Sequence, residues 1–119
     1  VLIISKRVCQ RMKDLNINEV NDLFLSVYKI SPIIEKYYHG DSLNIAIQDG
    51  TSAGQTVPHI HVHILPRKAG DFQRSDEVHE RLEEHDATID FTKPRLPRSL
   101  EDMAQESTIL RQLIEQEYP

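Results

Sequence analysis

The sequence predicts an α+β fold, an antiparallel sheet packed with one long helix and followed by a helix at the C-terminus. Three observations carry that expectation. His59-Ile60-His61-Val62-His63-Ile64-Leu65 alternates imidazoles with branched aliphatics, and a period of two is that of a β-strand. Leu43, Ile45 and Ile47 alternate in the same way with Ser42, Asn44, Ala46 and Gln48. Val20, Leu23, Phe24, Val27, Ile30 and Ile34 recur at helical spacing instead, which marks one buried stripe running to about Tyr38.

In chain order, Val1-Leu2-Ile3-Ile4 reads as the middle of a strand, so a segment upstream of Val1 is expected to be missing. Asn16 with Glu19 three residues on forms a capping-box signature at the start of the helix. Pro32 lacks a backbone donor, which predicts a kink or break near Tyr28, and His39-Gly40 supplies the stop. Asp49-Gly50 opens a turn. The short loop Thr51 to Val57 then leads through Pro58 into the histidine strand, so the two strands are expected to be antiparallel neighbours. Arg67 to Phe72 has no period and reads as a loop, Asp76 to Glu84 as a short surface helix, and Ala87 to Arg98, with Pro94 and Pro97, as a mobile stretch. Ser99 and Asp102 can cap a last helix in which Met103, Ile109, Leu110, Leu113 and Ile114 face inward or toward a partner.

A length of 119 residues predicts one domain, with a core over residues 1–75 and a less ordered acidic tail carrying helices over 76–119. No apolar run approaches the roughly 20 residues of a membrane span, and Lys6 and Arg7 follow the first apolar residues too soon for a secretory signal. Cys9 is the only cysteine, which points to a reducing compartment, the cytoplasm first and the nucleus second. The net charge of −5 argues against binding long nucleic acids. Up to Pro66 the acids Asp14, Glu19, Asp22, Glu35, Asp41 and Asp49 are balanced by Lys6, Arg7, Arg11, Lys13, Lys29 and Lys36, so the acidity belongs to the tail.

On one continuous strand His59, His61 and His63 would share a face, about 6.5–7 Å apart, so the outer two could bracket a phosphate while His61 attacks its phosphorus. An imidazole titrates near neutral pH and needs no activating base to act as a nucleophile. Flanking imidazoles can donate to phosphoryl oxygens without adding negative charge, and a covalent nucleotidyl-imidazole divides one hard displacement into two easier ones. The rival reading is a metal site, since His-x-His on a strand commonly supplies two ligands to zinc, copper or iron. Spacing alone leaves both open. Gly54-Gln55-Thr56 can present backbone N–H groups and an amide to an anion, or be an ordinary loop. Gln48 can face the same site or solvent, and Arg67-Lys68 can attract polyphosphate or be simply solvated. His39, His79 and His85 read as surface residues.

The stretch His59 to Leu65 resembles the signature of the histidine triad (HIT) superfamily. Its flanks, Gln48-Asp49-Gly50, Ala53-Gly54-Gln55-Thr56-Val57 and Pro66-Arg67-Lys68-Ala69-Gly70-Asp71-Phe72, look like the Fhit-type branch and separate it from the Hint-type and uridylyltransferase branches. The helix motif Asp14-Leu15, Glu19-Val20 and Asp22-Leu23-Phe24 extends the likeness over most of Val1 to Phe72. That resemblance implies a homodimer that hydrolyses dinucleoside polyphosphates, diadenosine triphosphate above all, to AMP and the remaining nucleotide. It implies that His61 carries the nucleotidyl group, His63 serves the scissile and non-bridging oxygens, and His59 orients the site. Gln48, Gly54, Gln55, Thr56 and Val57 would touch substrate, with Gln55 reaching phosphate near the leaving group. A magnesium or manganese ion would arrive with the polyphosphate and not be caged by protein. Strands ahead of Val1 would wall the nucleoside pocket, and their expected absence would leave a sheet edge exposed. Two other functions stay open at this point, a nucleotide-binding signalling module with slow turnover and a His-x-His metal protein.

Overall fold

The computed structural model describes residues 1–87 and 98–119, with the backbone alone for 83–87. It divides into two units, Val1–Ile89 and Asp90–Pro119. The first holds β1 (Leu2–Ile4), α1 (Ile17–Tyr37), β2 (Ser42–Ile47), β3 (His61–Arg67) and α2 (Glu77–Ala87). The second holds α3 (Leu100–Glu117), whose N-cap Ser99 accepts from the Asp102 N–H at 3.0 Å. In α3 the apolar residues Ile109, Leu110, Leu113 and Ile114 are half-buried and Met103 is exposed. The expected mobile stretch after Ala87 lies largely outside the described residues, as does the side chain of His85.

The sheet order is β1-β3-β2, antiparallel throughout. β3 is therefore the central strand, paired along both edges; Val62 and Ile64 in it and Ile60 just before it are fully buried, and His61 and His63 are buried as well. Helix α1 packs on this sheet, and Leu23, Val27, Ile33 and Ile34 form the core with the aliphatic residues of β3. The buried stripe is narrower than its spacing predicts. Phe24 is 42% exposed, while Ser31, which is polar, lies inside. Among the described residues β2 has a strand neighbour on one side only, and Ile45 at its middle is half exposed.

The capping box forms as expected, with Glu19 N–H donating to Asn16 and Asn16 N–H to the Glu19 carboxylate. The break near Tyr28 does not occur. Helix α1 runs through Pro32 without interruption, because Pro32 and Tyr28 both lie on the solvent side, where water can serve the carbonyl that proline leaves without a donor. The stop is divided between two residues. His39 takes the left-handed conformation at φ 57°, and Gly40 is needed for closeness, since a Cβ there would lie 2.9 Å from the Arg67 carbonyl oxygen.

Candidate active site

β3 begins at His61, two residues later than the alternation predicts, so the strand period governs His61 and His63 and not His59. His59 sits in the bend before the strand, half-buried, and its ring turns to the end of β1. Its Nε2 lies 2.9 Å from the Ser5 carbonyl oxygen and 3.2 Å from Ser5 Oγ. A carbonyl can only accept, so His59 Nε2 carries the proton. Ser5 Oγ donates its own hydrogen to the Arg7 carbonyl at 2.7 Å, which leaves the oxygen as a further acceptor for His59.

The same logic fixes the next ring. His61 Nδ1 is 2.8 Å from the His59 carbonyl oxygen, so Nδ1 is the donor and the lone pair of the neutral ring rests on Nε2. The His63 ring meets that of His61 edge to face, with centroids 4.9 Å apart and planes at 74°. The two ring centroids are closer than the spacing of next-but-one residues on a strand. Directly opposed residues of antiparallel strands project to the same side. Leu2 pairs with His63 and Ile4 with His61, and both aliphatics are more than half exposed. On the other flank Ala46 pairs with His63, and one further step of the register sets Gln48 across from His61.

Gln48 Oε1 is buried and, among the described residues, accepts no hydrogen bond. Gln55 is its opposite. Its oxygen accepts from the Gly50 N–H at 2.8 Å and its nitrogen donates to the carbonyls of Gln10 at 2.7 Å and Val57 at 2.9 Å. Both amide hydrogens are thus engaged inside the protein, and a phosphate contact by Gln55 would require one of these bonds to open. Gly54 adopts a left-handed turn at φ 85°, with Thr56 and Val57 exposed on the approach to β3. The loop is tied to the segment after β1 at two further points. Asp49 Oδ1 accepts from Arg11 Nε at 2.7 Å and from the Met12 N–H at 3.1 Å, and the Ile60 N–H donates to the Cys9 carbonyl at 2.7 Å. The Arg11 guanidinium and the Met12 amide hold the Asp49 carboxyl below its ordinary range.

Arg67 is neither solvated nor free for polyphosphate. It is buried, its guanidinium forks onto Asp71 at 2.6 and 2.9 Å, and it also reaches Asn44, the Ser75 carbonyl and the ring of Phe72. Hydrogen bonding from Arg67 lowers the Asp71 carboxyl to about 2. A cleft lined by Asp41, Asn44, Arg67, Asp71, Phe72 and His79 opens at this end of β3, about 20 Å along the strand from His61. Sequence reasoning did not find Ser5, Gln10, Arg11 or Asp49 as supports of the site. Their partners lie 37 to 54 residues away in the chain, beyond any local pattern. Among the described residues no three His, Cys, Asp or Glu side chains come together in a way that could hold a metal ion.

Residues 1–70 match the family described as HIT domain. The chain belongs to the HIT family. Within it, this HIT chain is 42% identical over 119 residues to a bifunctional bis(5′-adenosyl)-triphosphatase/adenylylsulfatase of Arabidopsis thaliana, covering 97% of the chain and 66% of that protein. It is 45% identical over 116 residues to a bis(5′-adenosyl)-triphosphatase of Dictyostelium discoideum, covering 98% of the chain and 72% of that protein. Its fold superposes on the crystal structure of the Caenorhabditis elegans NitFhit protein with a TM-score of 0.70 at 40% identity, covering 94% of the chain and 21% of the worm protein. The HIT chain thus spans about two thirds of the Arabidopsis relative and a fifth of the worm structure.

Proposed function

We propose that this HIT chain is a hydrolase that cleaves dinucleoside polyphosphates, diadenosine triphosphate among them, to AMP and ADP through a nucleotidyl group carried on His61. The observation that supports this most directly is the tautomer of His61, with its Nδ1 proton committed to the His59 carbonyl, its Nε2 lone pair left over, and the His63 ring edge to face against its own. In the first step Nε2 bonds to the α-phosphorus, and the bond from that phosphorus to the bridging oxygen breaks. His63 gives the departing ADP oxygen its proton. In the second step water attacks the phosphorus, the N–P bond breaks, AMP leaves, and the water proton passes to His63. His59 orients His61 through its carbonyl, Gln48 offers its amide to phosphate, and the loop of Gly54, Gln55, Thr56 and Val57 borders the substrate. Leu2 and Ile4, exposed beside the histidines, supply apolar surface for a base.

A magnesium or manganese ion is taken to travel on the substrate phosphates. Among the described residues no group of three His, Cys, Asp or Glu side chains suits a caged ion. The working unit is taken to be a homodimer. Support comes from the outer edge of β2, which pairs with no described strand, and from Phe24, Leu25 and Tyr28, which are exposed along α1. No described helix is long and apolar enough to cross a membrane, and the reduced Cys9 suits cytoplasm or nucleus; a tagged full-length chain found elsewhere would count against that placement.

Turnover of a fluorogenic dinucleoside triphosphate by wild type, His61→Ala and His63→Ala tests the chemistry. Loss of His61 is expected to lower kcat by several orders of magnitude while AMP still binds, with a smaller loss at His63. Equal, mild losses would favour a binding module. Stoichiometric zinc or copper, lost together with activity on either histidine change, would favour a metal protein.

A further inference from the structure

We infer that Gln55 is a positioning residue, one that does not touch the phosphates but holds the loop after β2 so that Gln48 is presented beside His61. The inference rests on the hydrolytic reading only for its kinetic arm. Its basis is the contrast between two glutamines of the same site. The Gln55 side chain is buried and every hydrogen of its amide is engaged, at 2.7 Å to Gln10 and 2.9 Å to Val57, with its oxygen taken by Gly50 at 2.8 Å. Gln48, one register step beyond the pair Ile47 and Val62, has a buried oxygen that meets no donor. A buried acceptor left without a partner is costly, and such groups tend to mark a place where water or ligand completes the bond. The side chain with capacity to spare is therefore Gln48.

The path between the two is short. Gln55 grips the Gly50 N–H, two residues after Gln48, and Gly50 returns its carbonyl to the N–H groups of Ala53 at 3.0 Å and Gln55 at 3.1 Å. The intervening residue, Asp49, is clamped to Arg11 and Met12. The Gln55 nitrogen meanwhile fastens the loop to Gln10, next to Cys9, whose carbonyl holds the start of the histidine stretch through Ile60. One amide thus joins the end of β2, the segment after β1 and the approach to β3. Removing it frees the backbone that carries Gln48, while the Gln55 amide itself has no hydrogen to spare for the phosphates.

A double-mutant cycle in the whole chain tests this, with Gln48→Ala, Gln55→Met and both together. Methionine keeps the volume of Gln55 and loses all three bonds. Each single change is expected to lower kcat by about tenfold, and the double variant to be no slower than the worse single one within about twofold, because both act through one contact. Losses that multiply would overturn the inference and make Gln55 an independent substrate contact. Two readouts need no turnover. In Gln55→Met the Gly50 amide is expected to lose its exchange protection, and the side-chain NH₂ signals of Gln48 to shift in NMR spectra of the unliganded protein. Unchanged Gln48 signals in a folded Gln55→Met protein would likewise overturn it. If wild type shows no turnover at all, the hydrolytic reading fails instead, and these two readouts still decide the role of Gln55.

Discussion

His61 illustrates what one residue's neighbours decide. Its place among alternating residues is plain in the sequence, whereas the carbonyl that sets its tautomer belongs to a bend that no periodicity reports. The two glutamines show the same division. Both read as substrate contacts, and only the structure separates the engaged amide of Gln55 from the unmatched oxygen of Gln48. Gly50 can be tested at this scale. It sits at φ +111°, and a Cβ would lie 2.9 Å from Arg11 Cζ, an atom held in place by the ion pair with Asp49. Gly50→Ala is expected to cost about 1–3 kcal/mol in denaturant unfolding, and an unchanged midpoint would contradict the described turn.

Elements were the most legible scale wherever the signal was local. The Asn16 and Glu19 box, the existence of strand β2 and its antiparallel pairing with β3 all follow from residues close in the chain, whereas burial along β2 does not alternate as its sequence does. Legibility fell where position in the fold overrides pattern. Pro32 is harmless because its side of α1 faces water, and Ile45 is exposed because β2 is an edge. The start of α1 also carries a pH dependence. Arg7 forks onto Glu19 at 2.8 and 2.6 Å, and this, with the Asn16 N–H, lowers the Glu19 carboxyl from 4.5 to about 2. A carboxyl lowered in the folded state contributes stability that is complete above its unfolded value and is lost as pH falls toward the folded one. Glu19→Gln is therefore expected to melt below wild type at pH 7, with the gap closing between about pH 4.5 and about pH 2. A gap constant over that range in thermal melts would refute the assignment.

At the scale of the whole molecule, three strands and one helix carry the histidines, and the supports that fix them come from the other ends of the chain's loops. Association is the next level up. Sedimentation of the full-length protein at micromolar concentration is expected to give a dimer, and Tyr28→Glu or Ile45→Lys to shift it toward monomer; a monomeric wild type would remove the dimer from this account. Most direct of all is mass spectrometry of a reaction with a dinucleoside triphosphate, quenched within the first turnover and digested. The account predicts an adenylyl adduct on the peptide containing His61, absent in His61→Ala. Turnover proceeding with no such adduct, or with the adduct on His63, would contradict it.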